Sequence, residues 1–157
     1  MSVIRTATVF VFGGLLVGQA LAAEIVTVTL TDKPGVDMAN NDGIAMGGDH
    51  KTASMLVAAA PATLAAGSVT FKVHNTSQGL VHEMLVVKLT DTTTPLLYDQ
   101  ATAMLSEDGL GSLGEVPELE PGKSGSLTLD LTSGTYALLC NQPGHYAAGM
   151  WTLLTVN

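Results

Sequence analysis

Cysteine is almost absent from this 157-residue chain, which has one, Cys140. A lone cysteine excludes an internal disulfide. It leaves four roles for the thiol: an inert core residue, a bridge between chains, a nucleophile or a metal ligand. Positive charge is scarce as well, with 6 Lys+Arg against 14 Asp+Glu and a formal net charge of −8. Arg5 is the sole arginine. No basic stripe exists to displace counterions from phosphates, so the composition argues against nucleic acid as a partner. It suits a basic protein partner or none. Aromatic residues make up 4%. Beyond the N-terminus no apolar run is long enough to span a bilayer.

The one conspicuous apolar run is "VFVFGGLLVG", behind Arg5 and ahead of "QALAAE". A positive start, a short apolar middle and small residues at Ala20 and Ala22 have the form of a secretory signal. Residues 1–23 are therefore read as a signal peptide cleaved after Ala22 or Ala23, and 24–157 as one domain. The mature protein is expected to be exported, periplasmic or extracellular, and monomeric, with no membrane span.

What is present is a succession of short alternating segments. "EIVTVTL" (24–30), a stretch near 54–59, "VTFKVHN" (69–75), "LVHEMLVVKL" (80–89), "SLTLDL" (126–131), "YALLC" (136–140) and "MWTLLTV" (150–156) all have strand character. In 69–75, Val69, Phe71 and Val73 fall on the inward face, which turns His74 outward. Leu97, Ala101, Met104 and Leu105 recur at helical spacing and predict a short helix near 96–106. The Gly- and Asn-rich stretch 31–52 and "SLGEVPELEPGKSG" are expected to be loops. Seven to eight short strands with one short helix predict an all-β sandwich. Tyr136, after a Gly-Thr turn, either bonds its hydroxyl back to the backbone at a sandwich corner or fills core volume.

Cys140 ends a strand, His145 follows after "NQPG", and Met150 follows after "YAAG". Thiolate, imidazole and thioether thus come from one loop between two strands. With a second imidazole they make up the donor set of a blue-copper site, two nitrogens and a thiolate in a plane with a long axial thioether. Of His50, His74, His82 and His145, the second imidazole is assigned to His82, which lies near the start of an apolar strand after a turn. Singly, Met150 and His82 are more often core or hydrogen-bonded residues. Their occurrence with the sole cysteine in C-x4-H-x4-M selects metal binding.

"GTYALLCNQPGHYAAGMWTLLTV" resembles the copper-binding end of the cupredoxins, and "AGSVTFKVHNTSQGLVHEMLVV" is similar to the stretch bearing that family's first histidine. "GEVPELEPGKSGSLTLDL" resembles the strand between them. The Cys-to-His spacing is similar to that of auracyanin-, rusticyanin- and sulfocyanin-type members. The resemblance implies a Greek-key β-sandwich, one type 1 copper per chain and one-electron transfer. It places His82, Cys140 and His145 in the equatorial plane and Met150 axial. Its implied partner is a redox protein, such as a cytochrome, an oxidase or a reductase.

Docking is expected at an exposed His145 edge, on a flat patch of Pro143, Gly144, Tyr146, Ala147 and Ala148. The acidic residues Glu107, Asp108, Glu115, Glu118 and Glu120 either steer such a partner or form a solvated loop. Glu83 stands where many cupredoxins have Asn or Ser. It either hydrogen-bonds behind the ligands, as Asn141 can, or points to solvent on the outer face, which alternation favours. Met38, Met46 and His50 are weak candidates for a second, Cu(I) site, while Met55 is assigned to the core. The alternative function is a copper carrier or storage protein. Four protein ligands leave no open position for a substrate, so an enzyme is not expected.

Overall fold

The computed structural model describes residues 23–33, 46, 53–93 and 96–157. The elements are β1 (Glu24–Asp32), β2 (Met55–Ala60), β3 (Thr63–Leu64), β4 (Gly67–Asn75), β5 (His82–Leu89), β6 (Tyr98–Asp99), β7 (Met104–Leu105), α1 (Glu107–Leu110), β8 (Ser112–Leu119), β9 (Ser124–Leu131), β10 (Gly134–Leu139) and β11 (Trp151–Val156). One sheet has the order β2-β1-β4-β9 and the other β3-β11-β10-β5-β8. β1 runs parallel to β4, so the chain crosses between the sheets as in a Greek-key sandwich. The fold is the all-β sandwich expected from the sequence.

Period-two alternation builds the space between the sheets. Val26, Val28 and Leu30 of β1 and Val69, Phe71 and Val73 of β4 point inward and are buried. They meet Met84, Val86, Tyr136, Leu138 and Leu154 from the opposite sheet. Met55 belongs to this core. His74 is on the exposed face, where its Nδ1 bonds the Ser124 hydroxyl at 2.9 Å. The Tyr136 hydroxyl donates to the Thr132 carbonyl at 2.6 Å, which fixes the corner before β10.

The five-stranded sheet is covered on both faces. Leu85, Val87, Ala137 and Leu139 point away from the central core and form a second cluster with Met46, Leu105 and Tyr146. This double burial explains why "HEMLVVKL" is nearly continuously apolar.

Two sequence expectations are corrected. No helix forms over 96–106; β6 and β7 pair there as a small hairpin, and the helical turn α1 begins only at Glu107. The apolar spacing does not define one buried helical face, since Leu97 is 84% exposed while Leu105 is buried. The segment expected to be a loop contains β8, an edge strand. Its pairing with β5 shifts register between His82 and Met84, opposite Pro117, and that irregularity masked the strand.

Candidate metal centre

The site lies where β5 begins and β10 ends. Asn75 prepares the approach to His82. Its buried amide donates to the carbonyls of Leu80 at 2.9 Å and Leu119 at 2.7 Å, and its Oδ1 accepts the Ser77 N–H. The turn between β4 and β5 is thereby anchored, and His82 enters the sandwich fully buried.

The loop from Cys140 to Met150 is a series of tight turns. The Cys140 N–H donates to the Met150 carbonyl and the Met150 N–H to the His145 carbonyl, both at 3.0 Å. The His145 N–H donates to the Gln142 carbonyl at 2.9 Å. Gly144 and Gly149, with φ of 81° and 95°, supply the left-handed positions such a loop needs. The Gly144 N–H reaches the Ala103 carbonyl at 2.7 Å, which ties the loop to the β6–β7 hairpin.

His82, Cys140 and His145 come together as the sequence analysis expected. Their ligand atoms lie within 4.8 Å of one another, and all three residues are buried. The two Nδ1 atoms are 3.1 Å apart, and Cys140 Sγ is 3.4 Å from His145 Nδ1. The Glu83 N–H points at Sγ from 3.5 Å. Met150 is fully buried in the core cluster that contains Cys140.

Burial sets the protonation of these groups without metal. It pushes the Cys140 thiol up to about 12, partly offset by N–H bonds from Glu83 and Gln142. It lowers both histidines. His145 falls to about 4, helped by the facing His82, whereas Asp32 opposes the shift of His82. Both imidazoles are therefore neutral at pH 7, so neither repels a cation. A nearby cation is what ionises the thiol.

Glu83 does not reach solvent. Its Oε1 accepts the Asn141 N–H at 3.0 Å, and it is 7% exposed. Alternation does put Glu83 on the face opposite His82, but that is the face of Leu85 and Val87, which the second cluster covers. Burial, together with Glu118 and Glu115, raises its carboxyl to about 7. The Asn141 side chain bonds both backbone groups of Leu105, at 2.7 and 3.1 Å, and so joins the ligand loop to β7.

The expected docking patch is corrected. His145 is 7% exposed, and Tyr146, Ala147 and Ala148 are buried; Pro143 is exposed and Gly144 half-buried. The loop turns these side chains inward because the Tyr146 hydroxyl accepts the N–H groups of Met46 at 3.3 Å and Leu96 at 3.2 Å. Met46 packs in the second cluster. Met38 and His50 lie outside the described residues.

One residue near the ligands was not anticipated. Asp32 Oδ1 stands 3.4 Å from His82 Nε2. Its signal in the sequence was a carboxylate at an inward position, two residues beyond Leu30 in an alternating strand.

Two neutral imidazoles and a thiol converging at one buried end of a β-sandwich form a group that can hold a metal ion. The family model for copper-binding proteins of the plastocyanin/azurin family matches residues 44–157. The chain belongs to that family, and copper is its metal. The donor set present, two imidazole nitrogens and one sulfur, fits copper.

Among solved structures, auracyanin B is 27% identical, with 86% of this chain and 89% of that one covered and a TM-score of 0.53. Auracyanin from the photosynthetic bacterium Roseiflexus castenholzii is 21% identical over 87% and 98% of the two chains, TM-score 0.50. Rusticyanin from Thiobacillus ferrooxidans is 22% identical over 87% and 79%, TM-score 0.52. The last two carry the fold alone. No curated sequence matches the chain. No helix among the described residues is long and apolar enough to cross a membrane.

Proposed function

We propose that this protein is an exported, soluble carrier of single electrons, in which His82, Cys140, His145 and Met150 would hold one copper. Bound copper supplies a one-electron Cu(II)/Cu(I) couple. The chain supplies a cage that changes little between the two states. The observation that carries this reading is the convergence of three buried ligand atoms within 4.8 Å, one from the start of β5 and two from a loop already closed by its own hydrogen bonds. A site assembled beforehand needs little rearrangement when an electron arrives.

A copper carrier, by contrast, must open to release its cargo. The bonds from Asn141 to Leu105 and from Glu83 to Asn141 oppose opening. The partner is a redox protein that docks over the outer part of the ligand loop, the exposed Pro143 and the half-buried Gln142 and Gly144 beside it, through a small interface that releases quickly.

The test is a copper titration of the signal-free protein, followed by visible absorption, EPR and voltammetry, beside Cys140→Ala. An intense thiolate-to-copper band with narrow hyperfine splitting, lost in the variant, and a reversible one-electron wave are expected. A colourless protein, or a copper spectrum indifferent to the variant, would sink the assignment. Rapid transfer of Cu(I) to a chelator, with no reversible wave, would favour copper carriage instead.

A further inference from the structure

The inward positions of β1 are Val26, Val28 and Leu30, each fully buried. The next inward position holds Asp32. A charged side chain where the pattern calls for an apolar one is a local rule broken, and such breaks concentrate at functional sites.

Asp32 ends β1 in the four-stranded sheet, and His82 opens β5 in the five-stranded sheet. Across this end of the sandwich, Oδ1 meets His82 Nε2 at 3.4 Å. The backbone that carries this carboxylate is held from its own side. Asp32 pairs with Met55 of β2, the Lys33 N–H donates to the Ser54 carbonyl at 2.8 Å, and the Lys33 ammonium binds the Ala53 carbonyl. Among the described residues no lysine or arginine pairs with Asp32.

We propose that Asp32 is a positioning residue of the copper centre, holding His82 through Nε2–H and adding a negative charge that favours the oxidised metal. The inference rests on the copper reading of this same site.

A carboxylate accepts and does not donate, so the contact places the His82 proton on Nε2. Nδ1 then keeps its lone pair, aimed at the other ligands. In the metal-free protein the 3.1 Å contact between the two Nδ1 atoms needs one donor, and that donor is His145. The chain of bonds runs from His145 Nδ1–H to His82 Nδ1, and from His82 Nε2–H to Asp32. His145 must move its proton to Nε2 before its Nδ1 can bind metal. His82 is already in the binding tautomer.

The charge acts through little solvent, since the side chains of His82 and Asp32 are 0% and 13% exposed. Interaction across such a gap is weakly screened. An electron added to a centre beside a carboxylate is disfavoured, and a ligand histidine bonded to a carboxylate is the stronger base.

The experiment compares wild type with Asp32→Asn, which keeps an acceptor and removes the charge, and with Asp130→Asn, which removes an exposed charge from β9. The thiolate band should persist in all three. In Asp32→Asn the Cu(II) affinity should fall about tenfold or more against Cu(I). That raises the potential by about 59 mV per tenfold for one electron. Asp130→Asn should not move it. A purely structural role for Asp32 would lower stability and leave the potential alone.

A ¹⁵N imidazole spectrum of the metal-free wild type should show His82 protonated at Nε2. An unmoved potential in Asp32→Asn, an equal shift in Asp130→Asn, or a His82 proton on Nδ1 would each overturn the proposal. If wild type itself lacks the band, the copper reading fails and takes this proposal with it. A wild-type band beside an unmoved potential defeats Asp32's role alone.

Discussion

The carboxylate of Glu83 accepts the backbone N–H of Asn141 at 3.0 Å, and the Glu83 N–H points back at Cys140 Sγ from 3.5 Å. One residue beside the first ligand therefore grips the loop that carries the others, twice and from two directions. Side-chain packing holds the two sheets together, and these polar contacts add to the packing of Ala148, Met150 and Tyr146 in holding the ligand loop.

Replacing Glu83 with Ala leaves the buried Asn141 N–H without an acceptor. We expect the metal-free protein to lose about 1–3 kcal/mol, the usual cost of a stranded buried donor, in denaturant unfolding. Glu83→Gln keeps an acceptor oxygen and should lose markedly less. Equal losses in the two variants would show that the bond to Asn141 does not hold the loop.

Metal uptake should release a proton from the thiol. Burial raises Cys140 to about 12 and lowers His145 to about 4, with His82 lowered as well. At pH 7 the free protein therefore carries a neutral thiol and two neutral imidazoles. Binding displaces roughly one proton, and the apparent affinity falls about tenfold for each unit that pH drops. Calorimetry in buffers of different ionisation enthalpy measures the count. Glu83, raised to about 7, is the other group that can titrate on binding, so the count is repeated in Glu83→Gln, where release of two or more protons at pH 7 would show that a histidine is charged in the free protein.

Tyr146 closes the outer side of the loop. Its hydroxyl accepts N–H groups from Met46 and Leu96, so Tyr146→Phe strands two donors at once. A loss of about 2 kcal/mol is expected, with the thiolate band retained. The unfolding midpoint and the absorption spectrum read the two effects separately. A lost band would mean that Tyr146 shapes the ligands and does not merely anchor their loop.

The Tyr136 corner makes a contrasting case. Its hydroxyl bond to Thr132 turns the chain into β10 away from the ligands. Tyr136→Phe should cost about 1 kcal/mol and leave potential and spectrum unchanged. A shifted potential would indicate that the corner sets the strand register on which Cys140 depends.

Alternation alone placed the inward face of β4 correctly, because a face packed against another sheet must repeat every second residue. The same rule put Glu83 on the correct face and in the wrong surroundings. Periodicity reports which side a residue faces and not what covers that side. The 96–110 segment and Tyr146 cover it, and their position follows from contacts far apart in the chain, such as Asn141 with Leu105 and Gly144 with Ala103. Those contacts also hold a hairpin where local spacing suggested a helix.

The ligands were legible because one loop carries Cys140, His145 and Met150 at short fixed spacing, and few chemistries use that combination. The sequence by itself determined the sandwich and the grouping of Cys140, His145 and Met150 on one loop, since both are written in local pattern. Only the tertiary structure decided that His145 lies under cover, that Glu83 binds the loop and that Asp32 faces His82. Each of those depends on two segments meeting across the end of the sandwich, and the distance between them in space is not a property of either segment alone.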